Sequence, residues 1–186
     1  MVKPHHRTMK IGDPHLPPFS KGGMGGFESY LLGNLMKKKK KIGLICSAGG
    51  HYTEMLQLWE AFEGYPKFLV TYREVTTMNR EDAYYVENIF RGPLAFIKGV
   101  VKTFMILLRE RPYILFSTGS EIAAPAFYFG KLLFGAKLIY LECSAQVYRP
   151  SLTGRCVYPI TDLFLVQWEP LLKQYGPKAK YMGGLI

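Results

Sequence analysis

At 186 residues the chain has room for one domain with a real core but not for two full nucleotide-binding halves. Hydrophobic residues at 48% against 20% charged exclude a disordered protein, and Lys98, Lys102, Lys131 and Lys137 interrupt every apolar stretch before it reaches the roughly 18 residues of a membrane span. The net charge of +10 favours an anionic partner such as phosphates, an acidic membrane surface or nucleic acid, and three cysteines without CxxC spacing argue against a disulfide framework or structural zinc.

Residues 1–35 are rich in Gly, Pro and His without helical or strand periodicity, and Met36 then opens a run of lysines, Lys37 to Lys41. This segment is expected to be a disordered leader, with an upstream-start artefact as one explanation, and the folded domain is expected over residues 36–186. From Ile42 the pattern becomes regular. Ile42 to Cys46 reads as an apolar strand, followed by a Gly turn and an amphipathic helix from about His51 to Phe62. A second strand is expected near Phe68 to Tyr72, a smaller one near Tyr84 to Glu87, and a long helix over about Leu94 to Arg109. A strand at Tyr113 to Phe116, a helix over about Glu121 to Phe134 and a strand at Lys137 to Leu141 follow. A loop rich in Ser, Pro and Gly then precedes a strand at Leu163 to Val166 and a last short helix. Alternating strands and helices predict an α/β, Rossmann-like parallel sheet flanked by helices. Ligands in such sheets sit at the carboxyl ends of the strands.

The loops at those ends carry the unusual residues. After the first strand, Ser47-Ala48-Gly49-Gly50-His51 leads into Thr53 and Glu54. Paired glycines let the backbone approach an anion, and the helix N-terminus offers N–H groups and a positive dipole end. A tight turn capped by Ser47 or Thr53 is the plainer alternative, but His51 adds an imidazole able to orient phosphate or take a proton. The Gly-x-Gly-x-x-Gly pattern of dinucleotide binders is absent, although Glu74 stands near the position of a ribose-binding acid. Ser117-Thr118-Gly119-Ser120 follows the third strong strand, where Ser120 could cap the next helix or the loop could complete a cleft. Glu142, Cys143 and Ser144 open a long polar loop with Arg149, Ser151, Thr153, Gly154 and Arg155. Glu142 reads either as a base or hydroxyl-binding acid, or as the salt-bridge partner of Arg149. Cys143 reads as a buried small residue rather than a nucleophile. Trp168, after Gln167, could stack on a sugar or pack an interdomain surface.

In the long helix, Lys98, Lys102 and Arg109 fall within about 40° of each other at 100° per residue, while Phe96, Ile97, Val100, Val101, Phe104, Met105, Leu107 and Leu108 cover much of the rest. That is more apolar surface than one sheet-facing side requires, so a membrane face built on Lys98, Lys102, Phe104, Met105 and Arg109 is expected, with core packing as the alternative for about half of these residues. Nucleic-acid binding fits the charge but lacks a recognisable module.

The ordered motifs Ser47 through Leu56, Ser117 through Ser120, Glu142 through Arg149, Thr153-Gly154, Asp162 and Gln167-Trp168 together resemble the Alg14 family, over roughly residues 42–184. The bacterial polysaccharide branch, termed PssD-like or EpsE-like, is the most similar because no apolar anchor precedes the domain. The resemblance implies the amino-terminal, acceptor-side half of a GT-B glycosyltransferase, related to that of MurG. An Alg13-like partner would carry most of the UDP-sugar site, and a polyprenyl-diphosphate-linked saccharide would be the acceptor. It further implies that Ser47, Gly49, Gly50, Thr53, Ser117, Thr118, Gly119 and Ser120 cradle the acceptor diphosphate. His51 and Glu142 become the catalytic candidates, and Arg149, Gln167 and Trp168 lie near the transferred sugar or the partner. UDP-sugar is then the co-substrate, no metal or other cofactor is expected, and the location is peripheral, on the cytoplasmic face of the membrane. A non-catalytic adaptor that recruits the partner is the competing expectation.

Overall fold

The structure, a computed structural model, describes residues 40–185 apart from 79, 89 and 90. The leader expected over residues 1–35 and the first three lysines of the run lie outside the described residues. The strands are β1 (Ile42–Ile45), β2 (Lys67–Tyr72), β3 (Ala83–Val86), β4 (Ile114–Ser117), β5 (Lys137–Leu141), β6 (Leu163–Val166) and β7 (Ala179–Tyr181). The helices are α1 (Gly50–Gln57), α2 (Pro93–Glu110), α3 (Ala123–Phe134), α4 (Leu152–Val157) and α5 (Pro170–Tyr175). All strands pair in parallel, in the order β3-β2-β1-β4-β5-β6-β7. The expected Rossmann-like sheet is what the chain forms.

Both faces of the sheet are covered, which is why its strands read as nearly continuous apolar runs. Along β1, Ile42 and Leu44 point to one face with Met55, Leu58 and Phe62 of the α1 side. On the opposite face, Leu115, Leu138, Tyr140 and Phe164 meet Ile106 and Leu107 of α2, Phe127 of α3 and Val157 of α4. Gly43 carries no side chain because none fits: a Cβ there would lie 2.7 Å from Leu115 and 2.8 Å from Phe68. Those two side chains fill the space that Gly43 leaves.

Local departures from the sequence expectation have physical causes. The first helix ends at Gln57, and a 3-10 turn at Trp59–Phe62 swings Phe62 inward against Phe116, ring centroids 5.2 Å apart. Within the presumed polar loop, the Ser151 hydroxyl accepts from the Gly154 N–H at 2.9 Å and starts α4, a helix too short for periodicity to betray. Strand β7 was equally illegible, because two of its three residues are exposed on the sheet edge. The end of the lysine run leads into the fold: Lys41 pairs with Glu110 at 2.5 Å, and Lys40 lies 3.4 Å over the Tyr113 ring.

Candidate active site

In the order β2-β1-β4-β5, chain direction across the sheet reverses between β1 and β4, and the two glycine loops leave their carboxyl ends side by side. That is the crevice in which doubly wound sheets bind ligands. No side chain caps α1, whose N-cap is Gly49 at φ 81°, so neither Ser47 nor Thr53 performs that task. The Thr53 hydroxyl instead donates back to the Gly49 carbonyl at 3.2 Å. Gly49 and Gly50 are exposed, and a Cβ at either position would meet nothing within 4 Å. The helix end and its dipole therefore face open space.

The second loop is locked to the first. The His51 carbonyl accepts from the Thr118 hydroxyl at 2.7 Å, and His51 Nδ1 lies 2.9 Å from the Thr118 carbonyl. A carbonyl only accepts, so Nδ1 carries the proton and a neutral ring leaves its lone pair on Nε2. Gly119, at φ 113°, passes directly beneath the imidazole, and a Cβ there would sit 2.5 Å from Cε1 and 2.7 Å from Nδ1. The buried Ser117 hydroxyl closes the turn by donating to the Gly119 carbonyl at 3.0 Å and accepting its N–H at 3.1 Å. Ser120 holds φ 104°, a costly value for a non-glycine residue, and its hydroxyl donates to Glu121 rather than capping α3.

Glu142 occupies a different environment from the one a base requires. It is fully buried. Oε1 accepts the Cys143 N–H at 2.9 Å; Oε2 accepts the Ser151 N–H at 3.2 Å, the Ser151 hydroxyl at 2.9 Å and the Tyr175 hydroxyl. Burial, reinforced by the Glu142 charge, raises the Tyr175 phenol far above its ordinary pKa and keeps it a donor. With its oxygens committed, Glu142 anchors the loop after β5 to α4 and α5. Arg149 is exposed and, among the described residues, forms no ion pair with Glu142.

Gln167 and Trp168 also turn inward. Gln167 is 1% exposed, donates to the Glu142 carbonyl at 3.1 Å and accepts the Leu185 N–H at 2.9 Å, while Trp168 Nε1 donates to the Ser144 carbonyl at 2.6 Å. Glu54, which carries no expected role in the site, lies in the same network: Oε1 accepts the Ser144 N–H at 2.8 Å and Gln167 Nε2 at 3.4 Å. The available signal was its spacing, three residues after His51 on the inward side of α1. Asp162 sits at the other end of the strands, pairing with Lys131 at 2.8 Å and accepting the Leu138 N–H at 2.8 Å. Glu74, the candidate ribose acid, helps line a cavity of about 340 Å³ with Arg73, Arg91 and Lys102 at the ends of β2 and β3.

Helix α2 has two apolar sides. Gly99, Thr103, Ile106 and Leu107 are buried. Leu94, Ile97, Val101, Met105 and Leu108 form an exposed stripe roughly opposite at 100° per residue, with Lys98, Lys102 and Arg109 along one flank. Phe104 does not belong to that stripe, because it is half-buried with its ring 5.2 Å from Phe129 of α3. Leu132 and Leu133 of α3 are also exposed. Among the described residues no helix is long and apolar enough to cross a membrane.

A parallel seven-stranded sheet with an uncapped glycine loop and a His-bearing helix at its reversal point defines a Rossmann-like α/β half of the GT-B kind. The Acinetobacter baumannii MurG structure shares this fold, with a TM-score of 0.61 and 13% identity over 77% of this chain, which spans only 45% of that protein. The chain belongs to the family described as "Oligosaccharide biosynthesis protein Alg14 like", whose profile matches residues 73–185. It is 26% identical to the "UDP-N-acetylglucosamine transferase subunit ALG14" of Candida albicans, covering 85% of this chain and 86% of that one. With the Saccharomyces cerevisiae protein of the same name it shares 24% identity, over 81% of this chain and 78% of that one. These relatives are fungal, not members of the bacterial PssD-like or EpsE-like branch that the resemblance was expected to favour.

Proposed function

We propose that this chain is the acceptor-binding, membrane-associating subunit of a two-part glycosyltransferase. An Alg13-like partner supplies the UDP-sugar site, and a sugar passes to a polyprenyl-diphosphate-linked saccharide. The naming of the fungal relatives favours UDP-N-acetylglucosamine as donor. One observation carries the reading: the reciprocal lock between His51 and Thr118, which joins two glycine loops into one cradle and, in the neutral ring, leaves the lone pair on Nε2.

The acceptor diphosphate lies against the open backbone at Gly49 and Gly50 and the positive end of α1. Ser47, Thr53 and the Thr118 to Ser120 loop border that space. The acceptor hydroxyl attacks the anomeric carbon, the bond from that carbon to UDP breaks, and the hydroxyl proton passes to His51 Nε2. UDP departs with the electron pair, its charge balanced by helix ends and basic groups, so chelators leave transfer intact. The apolar stripe of α2 settles into the interface with Lys98, Lys102 and Arg109 against anionic headgroups, on the cytoplasmic face.

The test is transfer of label from UDP-N-acetylglucosamine into a solvent-extractable lipid by this chain alone, the partner alone and both together. Transfer by the pair only is expected. His51→Ala should bind the partner yet lose transfer by about 10²–10⁴-fold, the usual worth of a general base. If the His51→Ala pair transfers at the wild-type rate, the adaptor reading replaces this one.

A further inference from the structure

Beside the proposed cradle, His51, Glu54 and Cys143 each bring one potential ligand atom to within 4.8 Å of the other two. The first two sit three residues apart on α1, and the third opens the loop after β5. Glu54 is 4% exposed, and while Oε1 holds the Ser144 N–H, Oε2 has no N–H or O–H donor among the described residues, where the Cys143 thiol is the only weak donor close to the carboxylate. A buried carboxylate oxygen without an N–H or O–H donor is a costly arrangement that a cation would relieve. The His51 ring is already oriented as metal-binding imidazoles are, with one nitrogen donating to a backbone carbonyl and Nε2 left to ligate.

We propose that His51, Glu54 and Cys143 form a site for one zinc-class divalent cation. An imidazole, a carboxylate and a thiolate are the donor types zinc takes, and three protein ligands leave a fourth position free. Zinc bonds of about 2.0–2.3 Å place ligand atoms roughly 3.3–3.8 Å apart, so the triad has to close by about an ångström. The Cys143 thiol, pushed up to about 11 by burial with Glu54 and Glu142 adding to the effect, gives its proton to solvent when the metal binds. A cation held here occupies Nε2 and so blocks transfer, a consequence that rests on His51 being the base. Transfer without a metal and inhibition by zinc then belong to one site.

The experiment uses the full chain, reduced and freed of metal, titrated with Zn²⁺ and with Co²⁺ as a spectroscopic probe. One equivalent should bind at micromolar metal, with a thiolate-to-cobalt charge-transfer band. That band should vanish in Cys143→Ser and persist in Cys156→Ser, whose cysteine is exposed elsewhere. Glu54→Gln should weaken binding at least about tenfold, with a thermal melt confirming that the variant is folded. No binding, a band that survives Cys143→Ser or a band lost in Cys156→Ser overturns the site. In a separate arm, Zn²⁺ is added to the transferring pair and each variant is compared with its own zinc-free rate. Binding without inhibition refutes the role of His51 as base and leaves the cation site standing.

Discussion

Gly119→Ala offers the sharpest test of the cradle, because it adds one methyl group to the point where the two loops touch. The new Cβ would lie 2.5 Å from His51 Cε1 and 2.7 Å from Nδ1, inside any real contact distance, and the backbone there holds φ 113°. An alanine in that region costs about 1–3 kcal/mol of backbone strain, with a comparable sum if the imidazole stays in place against the methyl group. The ring has a cheaper exit. By rotating away it gives up its Nδ1 bond to the Thr118 carbonyl, worth about 1 kcal/mol, and leaves the base misplaced. Stability should therefore fall by about 2–4 kcal/mol, which lowers Tm by roughly 4–16 °C for a chain of this size. Transfer by the assembled pair should fall by at least about 10²-fold at a temperature where the variant is folded. Calorimetry together with the labelled-lipid assay separates the two effects. A folded Gly119→Ala variant with wild-type kcat would refute the idea that the lock positions His51 for chemistry.

Other residues give independent tests. Glu142→Gln replaces one acceptor oxygen with a donor facing donors, so it should cost about 2–4 kcal/mol in urea unfolding while the folded fraction keeps most of its transfer rate; selective loss of kcat would make Glu142 catalytic after all. The Asp162 carboxyl is raised by burial but lowered more by Lys131 and the Leu138 N–H, so its net shift is downward. Its contribution is therefore complete above the ordinary aspartate value of about 4 and disappears as pH falls through the depressed one. Asp162→Asn should cost about 1–3 kcal/mol at neutral pH, since Lys131 is partly solvent-screened, and should flatten the loss of stability in acid; parallel acid profiles would contradict this. Val101→Asp with Met105→Asp should cut sedimentation with anionic vesicles about tenfold or more and leave Tm nearly unchanged, whereas undiminished binding would remove α2 from the membrane.

Features repeated along the chain were legible in the sequence, and features that depend on one distant contact were not. The apolar runs of β1, β4, β5 and β6 and the long periodicity of α2 announce themselves because many residues share one environment. Gly49, Gly50, His51 and the Thr118-Gly119 loop were found from their place after strand ends, and the structure brings them together. What the sequence could not reveal was how each acid is partnered. Glu142 and Glu54 look alike on the page, yet one has its oxygens filled by Ser151, Tyr175 and Cys143 and the other keeps an oxygen without an N–H or O–H donor. Gln167 and Phe104 were placed on surfaces by analogy and by excess hydrophobicity, whereas long-range partners turn both inward.

If its outer stripe is the proposed membrane face, the two-sided character of α2 also governs how the molecule is oriented. As a crossover helix it runs back against the strands, about 27 Å from the carboxyl edge near Pro93 to the opposite edge at Glu110. Resting so on a bilayer, it would lay the strands nearly level with the membrane, but α1 packs on the sheet face opposite α2, so Gly49 and Gly50 would stand above the headgroups by at least the roughly 10 Å that separates packed layers. A lipid-linked diphosphate would then reach Gly49 and Gly50 only by drawing its head group up past the sheet edge, with its tail still among its neighbours.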